Sequence, residues 1–156
     1  MLMKYVETSI VFQEVPDETT LAITISNCPV KCAGCHSQHL WGDIGELLDY
    51  NAIARMLREY KEDITCICFM GGDADPRQIN NLAHFVKYKY PRLKVAWYSG
   101  RTGIPYYLIE PELFDYIKIG PYQKDKGGLN CRTTNQRMYK VEKGGELVDI
   151  TPKFWK

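Results

Sequence analysis

The sequence predicts an α/β fold built on a mainly parallel sheet, and three observations carry that expectation. Four short apolar runs alternate with two segments of helical periodicity, the runs are bounded by turn residues, and the connections between runs are long enough to cross over a sheet. Parallel neighbours need such a covering connection, and right-handed crossovers supply it.

Strands are expected near Leu21–Ser26, Ile64–Met70, Lys94–Ser99 and Tyr116–Ile119. The first helix is expected from Tyr50 to Tyr60, with Asp49 as N-cap and Ile53, Met56, Leu57 and Tyr60 on one face. The second is expected from about Arg77 to Tyr90. It places Ile79, Leu82, Phe85 and Val86 along one side and is stopped by Pro91. Three loops follow predicted strands, Asn27–His39, Gly71–Pro76 and Gly100–Pro105, and sites in parallel sheets gather at carboxyl ends. The stretches Ser37–Leu48 and Tyr122–Gln136 follow no clear pattern, and long irregular segments often carry function.

The 156 residues, 45% hydrophobic and 25% charged, suit one globular domain spanning 1–156. Twenty basic residues against nineteen acidic leave a formal charge of +1, too little for broad attraction to nucleic acid or an anionic membrane. The aromatic residues follow no base-stacking motif. With no apolar run of spanning length and no secretory pattern in MLMKYVETSI, a cytoplasmic protein is expected.

In a reducing compartment, six cysteines with three inside eight residues point to metal or redox chemistry rather than disulfides. Cys28, Cys32 and Cys35 stand at C-x3-C-x2-C spacing directly after a predicted strand. A [4Fe-4S] cluster ordinarily takes four thiolates, so three leave one iron open to a substrate or cofactor. Two other uses fit some of the same residues: a zinc knot with His36 or His39 as fourth ligand, and covalent haem at Cys32-Ala-Gly-Cys35-His36. Zinc lacks a second C-x2-C, and haem attachment leaves Cys28 unexplained. Cys66 and Cys68, two apart in a strand, read as buried small hydrophobes, and Cys131 stands alone in a polar loop.

Gly71-Gly72-Asp73 follows the second predicted strand. Paired glycines permit close backbone approach to a ligand, and the carboxylate can receive an ammonium group. With the cysteine triad, this loop resembles the radical S-adenosylmethionine superfamily, and more closely the activating proteins of anaerobic ribonucleoside-triphosphate reductases. The residues that carry the resemblance are Cys28-Pro-Val-Lys-Cys32-Ala-Gly-Cys35-His36 with Trp41 beyond, Gly71-Gly72-Asp73 followed by Pro76, Trp97-Tyr98-Ser99-Gly100, Gly120-Pro121-Tyr122, and Arg132-Thr133-Thr134-Asn135-Gln136. Asp73 stands where the superfamily usually has glutamate, as in this family, and Ile119 stands where the family often has an acidic residue.

The resemblance implies an incomplete parallel (β/α) barrel, open on one side. It implies a [4Fe-4S] cluster on Cys28, Cys32 and Cys35, with S-adenosylmethionine held at the open iron by Gly71, Gly72 and Asp73. Backbone around Gly34, Cys35 and His36 and the hydroxyl of Ser99 would also touch that cofactor. The implied activity is that of an oxidoreductase: reductive cleavage to methionine and a 5'-deoxyadenosyl radical, which removes hydrogen from a glycine of the reductase large subunit. Flavodoxin or ferredoxin would supply the electron. A formate-lyase type activase and a non-catalytic iron-sulfur or zinc module are the alternatives, and the segment Arg132–Gln136 would either shape the partner surface or the way into the site or be an ordinary solvated loop.

Overall fold

The computed structural model describes residues 2–29 and 38–155. In chain order the elements are β1 (Lys4–Val11), β2 (Thr20–Ile25), β3 (Glu46–Leu47), α1 (Tyr50–Tyr60), β4 (Cys66–Met70), α2 (Pro76–Lys89), β5 (Lys94–Tyr98), β6 (Tyr116–Ile119), β7 (Arg137–Val141) and β8 (Leu147–Asp149). All strands join one sheet in the order β3-β1-β2-β4-β5-β6-β7-β8. The central four, β2, β4, β5 and β6, run parallel, and the flanking pairs on either side are antiparallel.

Each helix is capped as its sequence dictates. Asp49 accepts from the Ala52 N–H at 2.9 Å to start α1. Asp75 accepts from Gln78 N–H to start α2, where Pro76 occupies the first turn without losing a needed donor. Pro91 lies just beyond the Tyr90 C-cap of α2.

Because β2, β4, β5 and β6 are added in one direction across the sheet, right-handed crossovers put both helices on one face. Ile53 and Leu57 of α1 and Ile79, Leu82 and Val86 of α2 pack there against Leu21, Ile23, Ile25, Ile67, Phe69, Val95, Trp97 and Ile117. Phe69 and Trp97 are wholly buried, and a fully buried side chain of this kind contributes about 2–3 kcal/mol. The opposite face carries small and sulfur-bearing residues: Cys66, Cys68 and Ala96, with Tyr116 and Met138. Val15, Leu129, Ile150 and Phe154 cover it.

This architecture corrects the incomplete parallel (β/α) barrel implied by the resemblance. The sheet is open and mixed, and among the described residues only two α-helices accompany it. Curling into a barrel requires repeated crossovers, yet the passage from β5 to β6 holds only a 3-10 turn at Pro111–Leu113. Chain on both flanks returns by antiparallel pairing, and the edge strands β3 and β8 do not meet.

At the amino ends of the parallel strands, buried Glu18 ties the β1–β2 connection to three strands. It accepts from Lys94 Nζ at 2.8 Å, Thr65 Oγ1 at 2.7 Å and the Tyr116 hydroxyl at 2.7 Å. Burial alone would raise this carboxyl, but hydrogen bonds from Lys94, Thr65 and Tyr116 outweigh it and hold the group below its usual range.

Candidate functional site

The in-register ends of the parallel strands build the site. Thr24 pairs with Met70, Met70 with Tyr98 and Tyr98 with Lys118, so the residues that follow each strand emerge at one height. From β2 come Ser26, Asn27 and Cys28. From β4 come Gly71, Gly72 and Asp73, from β5 Ser99, Gly100 and Arg101, and from β6 Gly120 and Pro121.

Cys28 is a half-buried free thiol. Its loop is closed at the base by backbone hydrogen bonds from Cys28 N–H to Leu40 O at 2.9 Å and from Asn27 N–H to Gly42 O at 3.1 Å. Asn27 adopts φ +60°, a left-handed conformation that asparagine tolerates, and its amide donates to Asp43 Oδ1 at 2.9 Å. Cys32, Gly34, Cys35 and His36 lie outside the described residues.

The expected glycine loop and Ser99 are brought together. The Ser99 hydroxyl donates to Asp73 Oδ1 at 2.6 Å, and Gly100 N–H donates to Asp73 Oδ2 at 2.8 Å. Arg101 donates from Nη2 to the Asp73 carbonyl at 2.9 Å, with Nε 3.7 Å from Oδ1. Both carboxylate oxygens are therefore engaged, and an ammonium group would be a further partner, which the remaining lone pairs allow. Gly71 and Gly72 adopt φ +114° and +87°. A Cβ at Gly72 would lie 2.5 Å from Ile79 Cδ1, so this backbone runs directly over the end of α2. Trp97 Nε1 donates to Gly71 O at 2.7 Å and fixes the turn from below.

Three residues of the site were not expected from the sequence: Asn27, Arg101 and Lys118. The Lys118 ammonium is buried, 5.8 Å from the centre of the Tyr98 ring, and donates to Ser99 O at 3.1 Å and Gly120 O at 2.8 Å. A positive charge inside a YIKI strand reads as a solvent-facing residue unless the cover over that face is known. Arg101 had a faint signal, since it directly follows Ser99-Gly100 in a strand-end loop.

Segment 132–136 proves to be a clamp on the β6 exit rather than a free surface loop. Thr134 and Gln136 are buried, Asn135 Nδ2 donates to Pro121 O at 3.0 Å, and Gln136 Nε2 donates to Gly120 O at 3.4 Å. Cys66 and Cys68 are fully buried, and burial pushes both thiols up, which suits packing rather than ligation. The half-buried Cys131 thiol lies 3.7 Å from Asn130 Oδ1.

Two recesses flank the site. One of about 140 Å³ is lined by Met3, Ile25, Ser26, Asn27, Gly72 and Asp75. A shallower one of about 570 Å³ lies along Gly100–Pro105, Tyr107 and Pro121. A wider cavity of about 870 Å³ sits at the opposite end of the sheet. Part of its charged lining is engaged elsewhere: Lys94 pairs with Glu18, while Lys61 and Lys89 stand at the carboxyl ends of the two helices, whose dipoles they offset. No three His, Cys, Asp or Glu side chains converge as a metal site among the described residues. No helix among them is long and apolar enough to cross a membrane.

Three thiols within eight residues, in a segment whose flanks are hydrogen-bonded to each other just after β2, fit the ligand set of an iron-sulfur cluster and define an iron-sulfur protein. The model of a family described as a 4Fe-4S single cluster domain matches residues 19–119, about two thirds of the chain, and the chain belongs to that family. The matched span runs from the start of β2 to the end of β6, covering the parallel strands and the cysteine loop. No curated protein and no solved structure matches the chain.

Proposed function

We propose that the protein is a radical enzyme that cleaves S-adenosylmethionine reductively at its cluster and generates a glycyl radical on the large subunit of an anaerobic ribonucleoside-triphosphate reductase. The observation that carries this reading is the hydrogen-bonded union of Gly71-Gly72-Asp73 with Ser99-Gly100, at the same sheet end as Cys28. A simple electron carrier needs no second loop of this kind beside its cluster.

Cys28, Cys32 and Cys35 would hold three irons, with the fourth left to the amino and carboxylate groups of the cofactor. A reduced cluster held there would supply the electron for reductive cleavage of a carbon-sulfur bond of S-adenosylmethionine. Around it the chain positions charge. Asp73, locked by Ser99 and Gly100, would accept from the N–H groups of the methionine amine with its remaining lone pairs. Gly71 and Gly72, at φ +114° and +87°, form the turn that carries Asp73 past the start of α2. Lys118, held between the Ser99 and Gly120 carbonyls, keeps the β5 and β6 exits at a fixed spacing.

The test is anaerobic reconstitution with iron and sulfide, reduction by flavodoxin or ferredoxin, and addition of S-adenosylmethionine. The reading expects a changed electron paramagnetic resonance signal and release of 5'-deoxyadenosine. Addition of the reductase large subunit should then yield a glycyl radical, whereas a formate-lyase should not. A cluster that forms but ignores the cofactor would overturn the reading.

A further inference from the structure

The chain has three tryptophans. Trp97 Nε1 donates to Gly71 O at 2.7 Å, and Trp155 Nε1 donates to Leu129 O at 3.2 Å. Trp41 Nε1 is also shut off from water, yet it meets no acceptor among the described residues. A buried donor left unpaired costs about 1–3 kcal/mol, and buried indoles usually find a partner. Among the described residues, an acceptor for this indole is therefore missing.

The position of Trp41 indicates which. It ends the 3-10 turn Gln38–Trp41, directly after the cysteine segment. Its neighbours on either side, Leu40 and Gly42, accept the backbone hydrogen bonds that close the loop at Cys28 and Asn27. Trp41 thus stands at the neck of the loop that carries the three cluster thiols. Cluster sulfides and thiolates are anionic acceptors, and hydrogen bonds to them are among the devices that set a cluster's reduction potential.

We propose that Trp41 Nε1–H donates a hydrogen bond to a sulfur of the bound [4Fe-4S] cluster and raises its reduction potential. Reduction adds negative charge to the sulfurs, so the donor stabilises the reduced state more than the oxidised one. Trp41 acts through the cluster and is a tuning residue. The inference depends on the cluster alone and not on cleavage of S-adenosylmethionine.

Protein carrying tryptophan labelled with ¹⁵N at Nε1 would be reconstituted anaerobically, reduced without added cofactor, and examined by pulsed electron paramagnetic resonance. The expected result is a ¹⁵N coupling that is absent from unlabelled protein and from labelled Trp41→Phe. Trp97 and Trp155, engaged by carbonyls, would remain in that variant as internal controls. In a potentiometric titration, Trp41→Phe should keep its iron and sulfide content and show a midpoint potential shifted to more negative values. Absence of the coupling in the native protein, or an unchanged potential in a fully loaded variant, would overturn the proposal. Should the variant fail to hold its cluster, the labelled native spectrum decides alone. Because no S-adenosylmethionine is present, failure of the proposed enzymatic activity leaves this outcome untouched.

Discussion

The two ends of the parallel strands each bury a carboxylate, and they use it differently. At the amino end Glu18 is surrounded by the side chains of Lys94, Thr65 and Tyr116, at or beside the starts of three strands, in a closed set. At the carboxyl end Asp73 is held by a hydroxyl and a backbone N–H. Two glycines with positive φ precede it, an arginine beside it keeps its buried Nε without a hydrogen-bond partner among the described residues, and shallow recesses open on either side. The same chemical motif rivets the sheet in one place and leaves bonding capacity for a ligand in the other. The difference lies in what surrounds the carboxylate, not in the carboxylate.

Experiments can break this comparison, and the largest effect belongs to the cysteine loop. Cys28→Ser should abolish cluster retention, read as loss of protein-bound iron and sulfide after reconstitution, while Glu18→Gln should retain both. Next comes Gly72→Val. Its positive φ and the overlap with Ile79 should cost about 2 kcal/mol, and 5'-deoxyadenosine formation should fall at least about tenfold with iron content preserved. Equal loss of iron and activity would erase the distinction between the two loops.

At the rivet, Glu18→Gln should cost about 2 kcal/mol in urea unfolding, because it weakens one charge-assisted contact and leaves two hydroxyls poorly matched. Its pH dependence sharpens the contrast. The folded Glu18 carboxyl lies below its unfolded value, so the unfolded chain takes up the proton first as pH falls. Its stabilisation is present above the unfolded value of about 4.3 and is lost as pH drops through the folded value. The stability gap between native protein and Glu18→Gln should therefore narrow as pH falls below about 5. A gap that widened would show the carboxyl to be raised instead. The smallest effect is expected from Ser99→Ala, which removes one hydrogen bond to Asp73, worth about 1 kcal/mol. Half-saturation by S-adenosylmethionine should shift about fivefold, with unchanged iron content.

Where local chemistry decides structure, the sequence was legible. α1 has the expected bounds and cap because Asp49 and the spacing of Ile53, Met56 and Leu57 suffice without tertiary help. β6 at Tyr116–Ile119 likewise matches. β1 escaped notice because KYVETSIV mixes charged and apolar residues on a half-exposed strand, and β7 and β8 are short, polar and flanking. The barrel was an inference from resemblance, and the antiparallel flanks that overturn it leave little mark in hydrophobic periodicity. At the site, the chemical types in the cysteine triad and Gly71-Gly72-Asp73 were visible, but the bond from Ser99 to Asp73 spans 26 positions. It depends on the register of β4 with β5, which no local pattern encodes. The roles of Arg101 and Lys118 were hidden for the same reason.

The open sheet has a consequence for solution behaviour. An unclosed sheet offers two rows of unpaired backbone groups, and such rows recruit other chains. Here the outermost strands are stubs, two residues at Glu46–Leu47 and three at Leu147–Asp149, each bearing an acidic side chain. The β3 stub covers β1 only at Lys4 and Tyr5, so the outer backbone edge of residues 6–11 has no strand partner among the described residues and is the place where a strand of another chain would add.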